Sequence, residues 1–386
     1  MENKIFDNTK IAFKDKSFTD LVRGYFLFKI ISFPYIVHLF KKIIKIKLFS
    51  PITNFITRYT VFKQFCGGEN EIKCNKTIDL LMKSNIYSIL DYSVEGLENE
   101  KHFEKTLKQT LNLIKLNTNN KFPFIVFKPT AIGEFSLYEK ITSSVRLNKN
   151  EIIRWKKIKN RFDIICNSAY QNNTSVLIDA EESWIQPAID NIFEELIKKY
   201  NHNSSIVYNT VQAYRTDRLD YLKKLQTSFK DTKLKIGIKL VRGAYMEKER
   251  KRAQLFNYLS PIHPTKAATD DCFNNSLLYL LKNNNLFSVF LGTHNEYSNS
   301  LAIKYMDDNN LNRSSIWFSQ LYGMSNHVSY NLSNLGLNVA KYLPFGPTKE
   351  VIPYLLRRAD ENTSVKGQSG REISLIKREI IRRLFN

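Results

Sequence analysis

Two adjacent arginines, Arg357 and Arg358, follow Tyr354 and precede Glu361 and Asn362 in the run PYLLRRADEN. A guanidinium group grips a planar carboxylate through two parallel hydrogen bonds, so the pair points to an acidic small molecule. Neighbours on a helix project about 100° apart, and both reach one carboxylate only where the helix lies across the site. The plainer alternative is a solvated basic turn near a helix end; Tyr342 and Tyr354 in the same short stretch favour the ligand reading. In KLVRGAYMEKE, Lys239 and Arg242 supply positive charge and Gly243 allows close backbone approach, a combination suited to a phosphate-bearing cofactor. DAEES brings together Asp179, Glu181 and Glu182, a run that could hold a metal, but the six histidines are scattered without paired ligand spacing. No metal site is therefore expected. His294, in THNE, is open to four readings: general base, metal ligand, cofactor contact or structural histidine.

Residues so far apart in the chain meet only if the elements bearing them converge. Eight short apolar runs recur, near 86–95, 122–130, 175–182, 204–212, 236–245, 287–295, 315–323 and 338–346. Their ends carry Glu95, Lys128, Asp179, Gln212, Lys239 with Arg242, His294 with Asn295, Gln320 and Tyr342. Polar, Lys/Glu-rich stretches long enough for a helix separate them. Strand then helix, repeated eight times, is the pattern of a (β/α)8 barrel. In such a barrel the residues at the carboxyl ends of all strands face one mouth, where the active site sits.

At 386 residues the chain holds one barrel of ~250 residues and an additional segment. A 43% hydrophobic and 13% aromatic composition supports a large core and excludes wholesale disorder. The net charge of +21 invites a nucleic-acid reading. The excess is mostly lysine spread along the whole chain among abundant Asn, Ile, Phe and Tyr, with no interleaved nucleic-acid motif, so no nucleic-acid partner is expected. A basic surface of this kind favours contact with an anionic membrane. Cys66, Cys74, Cys166 and Cys272 show neither CxxC spacing nor a dense framework, which suits a reduced compartment. The opening residues lack a secretory pattern. The apolar stretch 30–40, followed by Lys41, Lys42, Lys45 and Lys47, is too short to span a bilayer; it either packs on the barrel or touches a membrane surface.

These observations divide the chain into an N-terminal helical segment (1–85), the barrel (86–365) and a basic, peripheral tail (366–386). CGGEN at 66–70 marks a turn, helices are expected at 97–117 and 136–172, and SPIHPTK breaks the long connection after the fifth strand.

The runs KPTAIG, IDAEES, VYNTVQAY, KLVRGAYMEKE, GTHNE, QLYGMS and KYLPFGPTKEVIPYLLRRADEN, together with FCGGEN and LDYSVEG upstream, are similar in order and spacing to the proline dehydrogenase family over about residues 60–365. The resemblance implies a distorted (β/α)8 TIM-type barrel whose final helix lies over the strand carboxyl ends. It implies the stand-alone enzyme, which binds FAD, oxidises L-proline to Δ1-pyrroline-5-carboxylate and passes electrons to membrane ubiquinone or menaquinone. It places Arg357, Arg358 and Lys128 on the proline carboxylate, with Glu95 holding Arg357. Tyr245, Leu321, Tyr342 and Tyr354 would enclose the ring. Asp179 matches the family's active-site aspartate, and Lys239 falls near flavin N5. Ala180, Gln212, Val241, Arg242, Gly243, Ala244, Lys266, Thr293, His294, Asn295 and Glu361 would contact the cofactor. The expected location is cytoplasmic, peripheral on the inner face of the cytoplasmic membrane. KPT in place of the commoner Lys-Leu-Thr, Gly292 in place of Ala and Phe345 depart from the family pattern without removing a needed charge. A 4-hydroxyproline dehydrogenase of the same family is the nearest rival, which the bulk of Tyr342 opposes.

Overall fold

Short Val/Ile/Leu/Phe runs bounded by polar residues make strands that can be buried on both faces, and eight of them form a parallel sheet. The computed structural model describes residues 5–33, 35–38, 42, 55–92, 98–117, 121–356 and 368–385. The strands are β1 (Ile86–Tyr92), β2 (Phe124–Phe127), β3 (Ser175–Ile178), β4 (Val207–Gln212), β5 (Ile236–Val241), β6 (Phe287–Gly292), β7 (Ile316–Leu321) and β8 (Asn338–Phe345). Their order in the sheet is β1-β8-β7-β6-β5-β4-β3-β2, with helices in the connections, which is the (β/α)8 barrel expected from the sequence. By contact density the chain divides into a unit of residues 97–318 and a unit joining 1–96 to 319–386.

In the 97–318 unit the strands pair in parallel from β2 to β6. All four residues of β2 and all six of β4 are buried, the continuous pattern of strands covered on both faces. Phe124 at the start of β2 stacks edge-on against Tyr208, Phe290 and Trp317, at centroid distances of 5.3, 4.9 and 5.2 Å. These rings pack together toward the amino-terminal ends of β2, β4 and β7. Gly237 makes room for them: a Cβ there would sit 2.5 Å from the Tyr208 ring. The connecting helices start on side-chain caps. Asn99 accepts from His102 N, Thr265 from Ala268 N and Asn295 from Ser298 N, each satisfying a backbone donor of the first turn. Asn148 and Glu151 form a reciprocal capping box. Helix Glu100–Leu116 buries Phe103, Thr106, Leu107, Thr110, Leu113 and Ile114, a stripe of helical period. The single helix expected at 136–172 is two, Phe135–Thr142 and Lys149–Gln171, because Ser144 turns the chain with φ 55°.

In the other unit, β1 and β8 pair over seven residues, from Ile86↔Val339 to Tyr92↔Phe345. CGGEN does more than turn. Gly67 N donates to Pro344 O at 2.9 Å and Gly346 N to Gly68 O at 3.2 Å, so the segment extends the end of β8. The tail expected to be peripheral is instead an 18-residue helix, Gln368–Phe385, whose Leu375, Ile376 and Glu379 are buried. It packs on helix Phe18–Ile31, where Gly24 lets the two approach until a Cβ would touch Ile376 at 3.8 Å. Its apolar stripe (Ile373, Leu375, Ile376, Ile380) is diluted by arginines and lysines, which hide it in composition. Of the apolar stretch 30–47, Ile31 and Val37 join this unit's core, whereas 34, 39–41 and 43–47 lie outside the described residues.

Candidate active site

The carboxyl ends of β3, β4 and β5 are tied by side chains that the sequence had singled out. Asp179 follows β3 and Lys239 lies on β5; Lys239 Nζ meets Asp179 Oδ1 at 2.5 Å, with the lysine side chain 8% exposed. Gln212, the last residue of β4, donates from Nε2 to Glu181 O at 2.8 Å and accepts from Ala244 N at 3.2 Å. One amide therefore fixes the turns after β3 and β5 relative to β4. Glu181 is buried and accepts from Thr130 Oγ1 at 2.7 Å and from Tyr245 OH at 2.9 Å. Burial raises its pKa above the usual carboxylate range, opposed by the Thr130 hydroxyl and the Lys128 ammonium. Burial, followed by the charge of Glu181, likewise pushes the Tyr245 phenol well up.

Beyond β5 the backbone enters a shape that only glycine tolerates. Gly243 has φ 133°, and a Cβ there would lie 2.1 Å from the Tyr214 ring. Gly243 and Ala244 are exposed, supported from below by that ring. Tyr214 OH bonds Glu249, a fully buried carboxylate that also accepts from Ser183 N and Ser183 Oγ at 2.6 Å each. Arg242 is held in four ways. It donates to Asp270 at 2.6 Å, to Thr293 Oγ1 at 2.8 Å and to Ser298 Oγ at 3.0 Å, and its guanidinium lies 4.3 Å from the Phe273 ring centre. Lys266 also reaches Asp270, at 2.5 Å. Two helix N-termini, those of Lys266–Lys282 and Glu296–Asp308, thus stand around Arg242, and donors at helix starts favour an anion. Ala180, Val241 and His294 occupy the strand ends beside these groups.

In the other unit, Leu321 ends β7 and packs against the cluster holding Tyr354 and Val351. Tyr342 on β8 is buried, and its carbonyl accepts from Tyr322 N at 2.8 Å. Beside it Lys341 is fully buried and donates to Met324 O at 2.8 Å and Leu321 O at 3.4 Å. Burial draws its pKa down to about 7; Glu372 opposes the fall and Lys16 adds to it. Gln64 Nε2 bonds Gly323 O at 2.7 Å, which fastens the QLYGMS turn from the other side.

Glu95, Arg357, Arg358 and Glu361 lie outside the described residues. Thr130, Tyr214, Glu249, Asp270 and Lys341 take part in these networks without having been marked by their sequence setting. Glu249 sits in a run of charges, and only its spacing of four from buried Ala253 hints that it faces inward. Among the described residues, no group of three or more His, Cys, Asp and Glu could hold a metal ion, and no helix is long and apolar enough to cross a membrane.

The proline dehydrogenase family profile matches residues 74–371. Proline dehydrogenase 1, mitochondrial, of Dictyostelium discoideum is 31% identical over 435 residues, spanning 99% of this chain and 76% of its own length. The carbapenem antibiotics biosynthesis protein CarD of Pectobacterium carotovorum is 33% identical over 321 residues, 83% of this chain and 84% of that protein. Among solved structures, proline utilization A from Bdellovibrio bacteriovorus, inactivated by N-propargylglycine, shares the fold with a TM-score of 0.74 at 19% identity. That match covers 95% of this chain and 40% of the larger protein.

Proposed function

Because the chain belongs to the proline dehydrogenase family, we propose that it oxidises L-proline to Δ1-pyrroline-5-carboxylate with FAD and passes the electrons to membrane ubiquinone or menaquinone, the first step of proline catabolism to glutamate. The observation that carries the cofactor assignment is the turn at Gly243 and Ala244. It is exposed, held from below by Tyr214, and flanked by Arg242 and two helix N-termini, a setting that fits a pyrophosphate. Gln212, Val241, Thr293, His294, Asn295 and Lys266 would hold the remainder of the FAD, with Ala180 and Glu361 as further contacts. Bound FAD supplies the hydride acceptor at its N5.

The protein's part is to bind and orient. Lys128, Arg357 and Arg358 would take the proline carboxylate, and Glu95 would orient Arg357. Tyr245, Leu321, Tyr342 and Tyr354 would wall the ring and exclude water. Lys239, fixed by Asp179, would place a cation beside the flavin, where it stabilises negative charge as the flavin is reduced. Anaerobic addition of L-proline to the purified protein should bleach the flavin band and yield a product trapped by an amine reagent. A flavin that stays oxidised under excess proline would overturn the reading. Supplying trans-4-hydroxyproline in the same assay tests the rival substrate, and the buried Tyr342 supports proline. The net charge and the stretch 30–47 support a peripheral place on the inner face of the cytoplasmic membrane, where a lipid-soluble acceptor is reached.

A further inference from the structure

The helix Met246–Leu255 leaves the end of β5 with one face buried through Glu249 and Ala253, and it finishes in an apolar projection. Leu255 is 73% exposed, Phe256 59%, Tyr258 40% and Leu259 94%. Asn257, at φ 52°, ends the helix, and Tyr258 N bonds Ala253 O at 3.0 Å, so the chain turns sharply and the four side chains crowd one tip. The tip is anchored on both sides. Arg252 lies 4.8 Å from the Phe256 ring centre and 4.5 Å from that of Trp184 while pairing with Glu139, and Thr216 N bonds Pro261 O at 3.0 Å on the return. A long apolar side chain held almost wholly in water is unfavourable unless something covers it, and contiguous exposed apolar groups mark interaction sites.

Arg250 and Lys251, both exposed, stand on the helix just before the tip, and Glu247 is its one exposed carboxylate. Cations beside a Leu/Phe/Tyr edge complement an anionic bilayer surface, where the apolar groups enter the acyl boundary and the cations meet lipid phosphates. Protein surfaces that take such tips need opposing carboxylates and a matched pocket; a lipid leaflet supplies charge and apolar depth without either. We propose that residues 255–259, with Arg250 and Lys251, form the contact through which this protein docks on an anionic membrane. The proposal deepens the membrane-quinone reading and rests on it for its purpose. A ten-residue helix separates the tip from Arg242, Gly243 and Ala244, so lipid would meet the protein on the connection that leaves the strand carrying the flavin candidates.

The experiment uses the full chain with phosphatidylcholine vesicles, with and without phosphatidylglycerol, in a sedimentation assay. Wild type should partition onto anionic vesicles and be released by salt. Leu255→Ser/Phe256→Ser/Leu259→Ser should bind at least tenfold more weakly, as should Arg250→Glu/Lys251→Glu, the latter with a flatter salt response. Proline-dependent reduction of a water-soluble dye should be unchanged in both, which separates this test from that of the catalytic reading. Leu259→Ser alone, at a fully exposed position, guards against misfolding of the triple variant and should weaken binding in the same direction. Equal vesicle binding by wild type and all variants, or no binding by wild type, would overturn the proposal. So would a wild-type dimer, without vesicle binding, that the tip variants dissociate, because the covering surface would then be a second copy.

Discussion

Lys239 and Asp179 meet at 2.5 Å with little access to water, so each charge depends on the other. Removing one partner of a buried pair leaves the second uncompensated, typically at a cost of about 3–5 kcal/mol. Lys239→Met is therefore expected to lower the melting temperature and, if the lysine lies beside the flavin, to make the flavin midpoint potential more negative by removing a cation that stabilises the reduced form. An unchanged potential in a folded variant would move Lys239 away from the flavin. Arg357→Met and Arg358→Met should each raise the KM for proline roughly tenfold to more than a hundredfold, the worth of a charge-assisted hydrogen bond of about 1.5–3 kcal/mol, while FAD content is kept. Wild-type saturation in both variants would reject the carboxylate role. At Tyr342 the issue is volume. Tyr342→Ser should shift the ratio of kcat/KM from proline toward trans-4-hydroxyproline by part of the ~1–3 kcal/mol that pocket size alone provides. A constant ratio would place Tyr342 outside the pocket.

The turn after β5 shows how an element makes a site from backbone. Gly243 is required twice over, by φ 133° and by a Tyr214 ring that occupies the space of a Cβ. Gly243→Ala should cost more stability than the usual surface substitution and should leave the purified protein depleted in flavin; a variant as yellow and as stable as wild type would mean that the turn does not carry the cofactor. The sequence marked this turn because glycine beside cations is legible as a type and a spacing. It did not mark Glu249, whose carboxylate joins Ser183 and Tyr214 beneath the turn, because a glutamate among lysines reads as solvated helix until its neighbours across the fold are known. The 18-residue helix Gln368–Phe385 was obscured in the same way, its apolar stripe diluted by basic residues that face outward.

For the molecule as a whole, Lys341 makes stability a function of pH. Its pKa is about 7 in the fold against 10.5 in the unfolded chain, with burial as the main cause and Glu372 and Lys16 as the charges facing it. Below pH 7 both states carry the proton and the folded state bears the cost of burying it. Between about pH 7 and 10.5 the unfolded chain binds a proton that the native lysine has released, so stability rises with pH through that window. The difference in unfolding free energy between wild type and Lys341→Met should therefore change across pH 7 to 10; a difference independent of pH would show that Lys341 keeps its ordinary pKa. The period of strands and helices, the ends of the strands and the residue types at those ends were determined by the sequence alone, because alternation of apolar runs with amphipathic stretches is a local property. The partners of those residues were decided by tertiary structure. Asp270 beside Arg242, Thr130 on Glu181 and Lys341 under the carbonyls of Leu321 and Met324 join positions between 17 and 51 residues apart. Such contacts arise only when separate strand ends are brought together, and burial, which sets their strength and their charge states, is absent from any single stretch of chain.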